Sequence, residues 1–139
     1  MNDKILMLTV GLPRSGKSSW AITSGCPVVN PDSVRLALHG QVFVPEAEPM
    51  VWTMSLYMVR ALFKAGHREV IVDATNTTRK RRDFWKSDEW IRRYAAFKVD
   101  RAECIRRCKC GVTTREDLIP IIERMAENYE PLEEDEWDE

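Results

Sequence analysis

Gly11-Leu12-Pro13-Arg14-Ser15-Gly16-Lys17-Ser18 matches in full the phosphate-loop pattern G-x-x-x-x-G-K-[ST]. Such a loop needs a strand before it and a helix after it, and both are legible. Lys4–Val10 reads as a buried strand on its apolar run Ile5-Leu6-Met7-Leu8-Thr9-Val10, and Lys17–Ser24 opens a helix closed by Gly25 and Pro27. Glycine at 11 and 16 lets the backbone bend round a phosphate without a clashing Cβ. The loop N–H groups and the helix start then face phosphate oxygens. Gly11, Pro13, Arg14, Ser15, Gly16, Lys17, Ser18 and Ser19 are therefore the candidate nucleotide contacts. Lys17 places an ammonium at the β- and γ-phosphates of ATP, and Ser18 offers a hydroxyl to Mg²⁺.

Outward from this loop, strands and helices alternate, which predicts an α/β fold: a parallel sheet flanked by helices, in the manner of the P-loop NTPases, with a short helical lid. Pro27-Val28-Val29-Asn30 reads as a short second strand, Asp32–Leu38 as a helix with Asp32 near its N-cap, and Glu46–Ala65 as the longest helix. The apolar positions of that helix at helical spacing are Val51, Met54, Met58, Leu62 and Ala65. Glu69–Asp73 is the next strand, Arg79–Ser87 a basic helix and Tyr94–Val99 a further strand, with Arg92 and Arg93 just before it. Helices are expected over Arg101–Cys108 and Arg115–Asn128, and Pro120 implies a kink or a later start in the last.

The 139 residues, 44% hydrophobic and 31% charged, fit one globular domain. It is expected to span residues 1–128, followed by a loose acidic tail over 129–139. No apolar run nears the roughly 20 residues that cross a bilayer, and no leader precedes the first strand, so a cytoplasmic protein without a membrane partner is expected. The net charge of −1 conceals an asymmetry: residues 127–139 carry eight acids and no base. The remaining body is basic, which suits either a polyanionic substrate or a solvated surface. Cys104, Cys108 and Cys110 lack the C-x-x-C spacing of a zinc site, and reduced thiols are expected.

Three segments speak to what happens to the phosphate. Asn30-Pro31-Asp32-Ser33-Val34-Arg35 follows the second strand, at the sheet edge where ligands bind. Asp32 there can take a proton from an attacking hydroxyl, cap the helix, or do both; Arg35 can hold an acceptor phosphate or form a surface ion pair. Asp73 ends a buried strand and suits Mg²⁺ through water, or a structural cap. Thr75 and Asn76 beyond it suit either substrate positioning or turn formation. The run Arg79-Lys80-Arg81-Arg82 opposes the dipole of its helix, so a phosphate-rich ligand or plain solvation favours it. In Arg101–Cys110, one or two arginines can close over a nucleotide. Phe43 can stack on a base or fill the core, the core being preferred.

At these residues the chain resembles the P-loop kinase family that contains the 5′-kinase domain of phage polynucleotide kinase. The resemblance runs over about residues 4–128. Its more telling part is Asn30–Arg35, similar to that family's acceptor motif of an aspartate and, three residues on, an arginine. It implies Asp32 as general base for a 5′-hydroxyl and Arg35 as ligand of the neighbouring phosphate. Asp73-Ala74-Thr75-Asn76 is similar to the family's strand-end motif. Asp100–Lys109 resembles its lid, whose arginine contacts ATP. The lid here is one residue shorter, and no arginine immediately precedes Gly111; Arg107, Arg106 or Lys109 then takes that part, with Arg107 favoured. No phosphatase or ligase domain is appended, so the kinase is expected to act alone or with separate partners.

The leading expectation is an ATP-dependent phosphotransferase acting on the 5′-OH end of DNA or RNA. A nucleoside, a nucleotide, a hydroxymethylated DNA base or another small hydroxyl-bearing metabolite is the alternative acceptor. An ATPase or nucleotide switch without an organic acceptor is the third reading, and it leaves the Asp32/Arg35 pair without a role. The chain also lacks a guanine-reading Asn-Lys-x-Asp element.

Overall fold

The computed structural model describes residues 3–111 and 113–138. A four-stranded, all-parallel sheet forms the centre, in the order β2-β3-β1-β4. Its strands are β1 (Ile5–Val10), β2 (Val28–Val29), β3 (Glu69–Val72) and β4 (Ile91–Ala96). The helices are α1 (Lys17–Thr23), α2 (Pro31–His39), α3 (Glu48–Lys64), α4 (Arg79–Asp83), α5 (Arg101–Lys109) and α6 (Ile119–Glu127), with 3₁₀ turns at Pro45–Ala47, Glu116–Leu118 and Glu134–Glu136. None of the described helices is long and apolar enough to cross a membrane.

β1 lies between β3 and β4, so its C-terminal loop emerges at the middle of the sheet edge. Leu6, Leu8 and Val10 of β1 join Val70, Val72, Val59, Phe63, Trp85 and Trp90 in the main core. A second core of Leu12, Cys104, Cys108 and Ile122 fastens α5 and α6 beneath the loop after β1. Cys104 and Cys108 serve there as packing, and among the described residues no three His, Cys, Asp or Glu side chains converge as metal ligands.

Several expectations need correction. The N-cap of α2 is Asn30, not Asp32: its Oδ1 accepts from the backbone N–H of Asp32 (2.8 Å) and Ser33 (3.4 Å), with Pro31 in the first turn. Freed from capping, Asp32 points into solvent. The buried stripe of α3 is Val51, Ser55, Val59 and Phe63 rather than the methionine face. Ser55 tolerates burial because its hydroxyl donates to Val51 O at 2.8 Å. Phe43 is 57% exposed and does not fill the core. α4 ends at Asp83, and the last helix takes the later start, with Pro120 in its first turn.

β4 begins three residues early, at Ile91, and Arg92 is fully inside. The reason is the segment expected to be a loose tail. Residues 129–138 fold back across the sheet. Arg82 and Glu136 are both 0% exposed and paired, Nε to Oε1 at 2.7 Å. Arg92 donates to Arg82 O (2.8 Å) and Glu136 O (3.0 Å), and its backbone N–H donates to Asp138 Oδ2 (2.9 Å). Arg79 is held by Glu133 and Asp135. Trp137 packs edge-on against Tyr94 at 5.0 Å. The acids that look like a solvated run are the counter-charges of three arginines.

Candidate active site

The loop after β1 is shaped by its close neighbours. The Gly11 N–H donates to Thr75 O at 2.9 Å. A Cβ on Gly11 would stand 2.8 Å from Ser15 Oγ and 3.0 Å from Phe97 O, so only glycine fits between the loop and the end of β4. Arg14 (φ 68°) and Gly16 (φ 101°) adopt left-handed backbone, which curls the chain before α1. Ser15 is buried, Pro13 is half-buried, and Ser19 lies exposed on the first turn of α1.

Lys17 is only 7% exposed. Its Nζ donates to Leu12 O (2.6 Å) and Ser15 Oγ (3.2 Å). Burial pulls the ammonium down to about 8, opposed by the charges of Asp73, Cys104 and Asp32. Among the described residues no carboxylate touches it. The side chain is a desolvated cation within the bend of the loop, and added negative charge there would stabilise it.

Beside it, Ser18 Oγ donates to Asp73 Oδ2 at 2.7 Å, and Asn30 Nδ2 donates to the same oxygen at 3.2 Å. The contact is direct because β3 neighbours β1 with Leu8 opposite Val72, so Asp73 ends level with the loop. A hydroxyl and a carboxylate in contact form an oxygen donor set of the kind a hard divalent cation takes.

Asp32 and Arg35 lie on α2, after β2. Arg35 Nη1 meets Asp32 Oδ1 at 2.7 Å, while its Nε and Nη2 grip both oxygens of Glu48 at 2.9 and 2.7 Å. The two-pronged Arg35 contact lowers the Glu48 pKa. Asp32 keeps a 78% exposed side chain. Its charge acts on both Lys17 and Arg115.

Of the three lid cations, Arg107 reaches the phosphate loop: Nη1 donates to Arg14 O at 3.0 Å and Nε to Glu103 at 3.1 Å. Arg106 instead pairs with Glu103 and leans on Cys110. Arg14 extends toward the same segment, donating to Thr113 O at 3.4 Å. Thr75 contributes its carbonyl to Gly11. Asn76 is buried, with φ 46°, and its amide donates to Thr9 O at 2.9 Å. It therefore anchors the β3 loop to β1.

Sequence reasoning missed Asn30 as the partner of Asp73, Glu48 as the clamp on Arg35, and the indole of Trp52 beside it. The Asn30 signal was available, as an Asn-Pro-Asp run before a helix is a capping pattern. Glu48 had none, because its meeting with Arg35 depends on how α2 and α3 pack.

A parallel sheet, a glycine-bent loop with a buried lysine and an acid at the neighbouring strand end define a P-loop NTPase fold. A family model described as "AAA domain" matches residues 6–132, and the chain belongs to that family. Among solved structures, a chain of a Pnkp1/Rnl/Hen1 complex is 30% identical, with a TM-score of 0.67 over 78% of this chain and 40% of that one. A chain of a Pnkp1/Rnl/Hen1 RNA repair complex is 21% identical, with a TM-score of 0.67 over 94% of this chain and 47% of that one. A gluconokinase from Sinorhizobium meliloti 1021 is 15% identical, with a TM-score of 0.59 over 90% of this chain and 76% of that one. The last two share the fold alone. The chain spans less than half the length of the two complex chains. No curated protein matches the sequence.

Proposed function

We propose that this domain is an ATP-dependent phosphotransferase that moves the γ-phosphate of ATP to a hydroxyl, the 5′-OH end of DNA or RNA. The observation that carries the reading is the placement of Asp32. It is an exposed carboxylate steadied by Arg35, within electrostatic reach of the Lys17 ammonium. The similarity to a chain of a Pnkp1/Rnl/Hen1 complex supports a nucleic-acid acceptor.

In this reading Lys17 and the loop amides hold the β- and γ-phosphates and neutralise charge that builds during transfer. Asp32 orients the acceptor hydroxyl and takes its proton as the new O–P bond forms and the β–γ bridge breaks. Arg35, fixed by Glu48, holds the phosphate adjoining the reacting sugar. Arg107 supports the loop through Arg14 O. Ser18 and Asp73 fit a Mg²⁺ ion, which when bound supplies charge neutralisation and a template for the phosphates. Catalysis of this type is chiefly positioning.

A labelled-ATP transfer screen tests the proposal against 5′-OH oligonucleotides, 5-hydroxymethylated duplexes, nucleosides and nucleoside monophosphates. Label on the oligonucleotide end is the expected result. Label on a small acceptor alone would move the acceptor class. ATP turnover indifferent to every acceptor would replace the kinase with an ATPase.

A further inference from the structure

The arginines of this chain are mostly met by carboxylates, and Arg81 is not. It sits in the middle of α4, and among the described residues its guanidinium makes no hydrogen bond or ion pair. It lies instead over the face of Trp52, its central carbon 4.2 Å from the ring centroid. The guanidinium carbon of Arg35 lies 5.8 Å from the same ring. Trp52 is itself fixed, with Phe84 at 5.8 Å and Trp85 at 6.4 Å, both edge-on. Burial lowers the Arg81 pKa, and of the charges nearby Glu48 opposes that while Arg35 adds to it. Glu48, the one acid acting on Arg81, already has both oxygens on Arg35.

A guanidinium stacked on an indole keeps its N–H donors in the plane of the stack, pointing outward at its rim. Such donors form a fork suited to a phosphate. The surface order is also defined. Asp32 touches Arg35, Arg35 borders Trp52, and Arg81 covers the face of Trp52. This is a track of two cations leading away from the proposed base.

We propose that Arg81, stacked on Trp52, is a second phosphate-binding residue of the acceptor site. It takes the next phosphodiester of a 5′-hydroxyl strand, while Arg35 takes the one adjoining the reacting sugar. The inference rests on the phosphotransferase reading above and narrows its substrate to a strand end with at least two phosphates.

The test compares two acceptors, a nucleoside 3′-phosphate and a dinucleotide bearing a 3′-phosphate, on the wild type, Arg81→Gln and Arg81→Lys. Transfer kinetics and calorimetric binding are both read. The wild type is expected to bind the two-phosphate acceptor about tenfold more tightly, the scale of one charge-assisted contact. Arg81→Gln should erase that gain, leave the one-phosphate acceptor unchanged and hold kcat within about twofold. Arg81→Lys should recover only part of it, since an ammonium neither stacks nor forks. Arg81 is solvent-accessible, and an unchanged melting curve checks that each variant folds. An equal loss on both acceptors, or none on either, overturns the Arg81 site while transfer by the wild type keeps the phosphotransferase. Arg81-dependent binding of the second phosphate without any transfer would do the reverse. Failure of the wild type to bind either acceptor overturns both.

Discussion

Two basic surfaces of this chain have similar composition and different sources of counter-charge. On α4 and β4, Arg79, Arg82 and Arg92 are matched by Glu133, Asp135, Glu136 and Asp138 of the same chain. Around the cleft Arg35 is matched by Asp32 and Glu48, but two other cations are not. Lys17 is buried against a carbonyl and a hydroxyl, and Arg81 meets only a ring. For Lys17, which is buried, the lack of an ion pair is costly, and a well-packed domain keeps few such cations. The comparison teaches that counter-charge, rather than the density of arginines, separates a structural basic cluster from one prepared for an anion.

The comparison can be broken most sharply at Lys17. Lys17→Ala should reduce phosphoryl transfer by at least about a thousandfold, since it removes charge stabilisation in a water-poor site. Its melting temperature should not fall by more than a few degrees, because the lost ammonium carries a desolvation cost. A variant that unfolds instead would make Lys17 structural. The opposite result is expected at the other surface. Glu136→Gln leaves Arg82 buried without its counter-charge and should cost about 3–5 kcal/mol by denaturant titration. Transfer below the melting point should be retained. Lost transfer with unchanged stability would mean that Arg79 and Arg82 face a ligand after all.

A pH series sharpens the comparison further. Lys17 titrates near 8 in the folded chain and near 10.5 when unfolded, so between these values the unfolded chain binds more protons. This lysine therefore opposes folding fully below about pH 8, and its penalty fades as pH rises toward 10.5. Nucleotide binding requires the charged form. Calorimetry around pH 9 should show proton uptake on binding ATP, and affinity should fall by up to about tenfold per pH unit above 8. Lys17→Met should abolish the uptake; uptake that persists would assign it to another group. The smallest effect is salt. Acceptor KM should rise with ionic strength by about 0.7 log units per decade for each phosphate contacted on a single strand. A flat response would indicate an uncharged acceptor.

Much of the fold was legible because its signals are local. The loop Gly11–Ser18 lies between an apolar strand and a helix start, and alternation along the chain gave the parallel sheet. Asp73 could be singled out because strand ends in such sheets face the ligand edge, and its carboxylate accepts from Ser18. What escaped was long-range pairing. Nothing near Arg92 tells that Asp138 and the Glu136 carbonyl will cover it, so its charge reads as a break before β4 and the tail reads as solvated. The face of α3 was misassigned for a similar reason, because a hydroxyl satisfied within its own helix lets Ser55 turn inward. Arg107 was singled out by its segment, but its contact with Arg14 depends on how α5 docks under the loop.

The central claim is that a carboxylate on α2 readies an alcohol opposite the Lys17 loop. It is tested most directly by following labelled γ-phosphate onto a 5′-OH oligonucleotide with the wild type and Asp32→Asn at matched ATP occupancy. The account predicts that the variant binds ATP as the wild type does and transfers about a hundredfold to ten-thousandfold more slowly. Near-normal transfer by Asp32→Asn would contradict it.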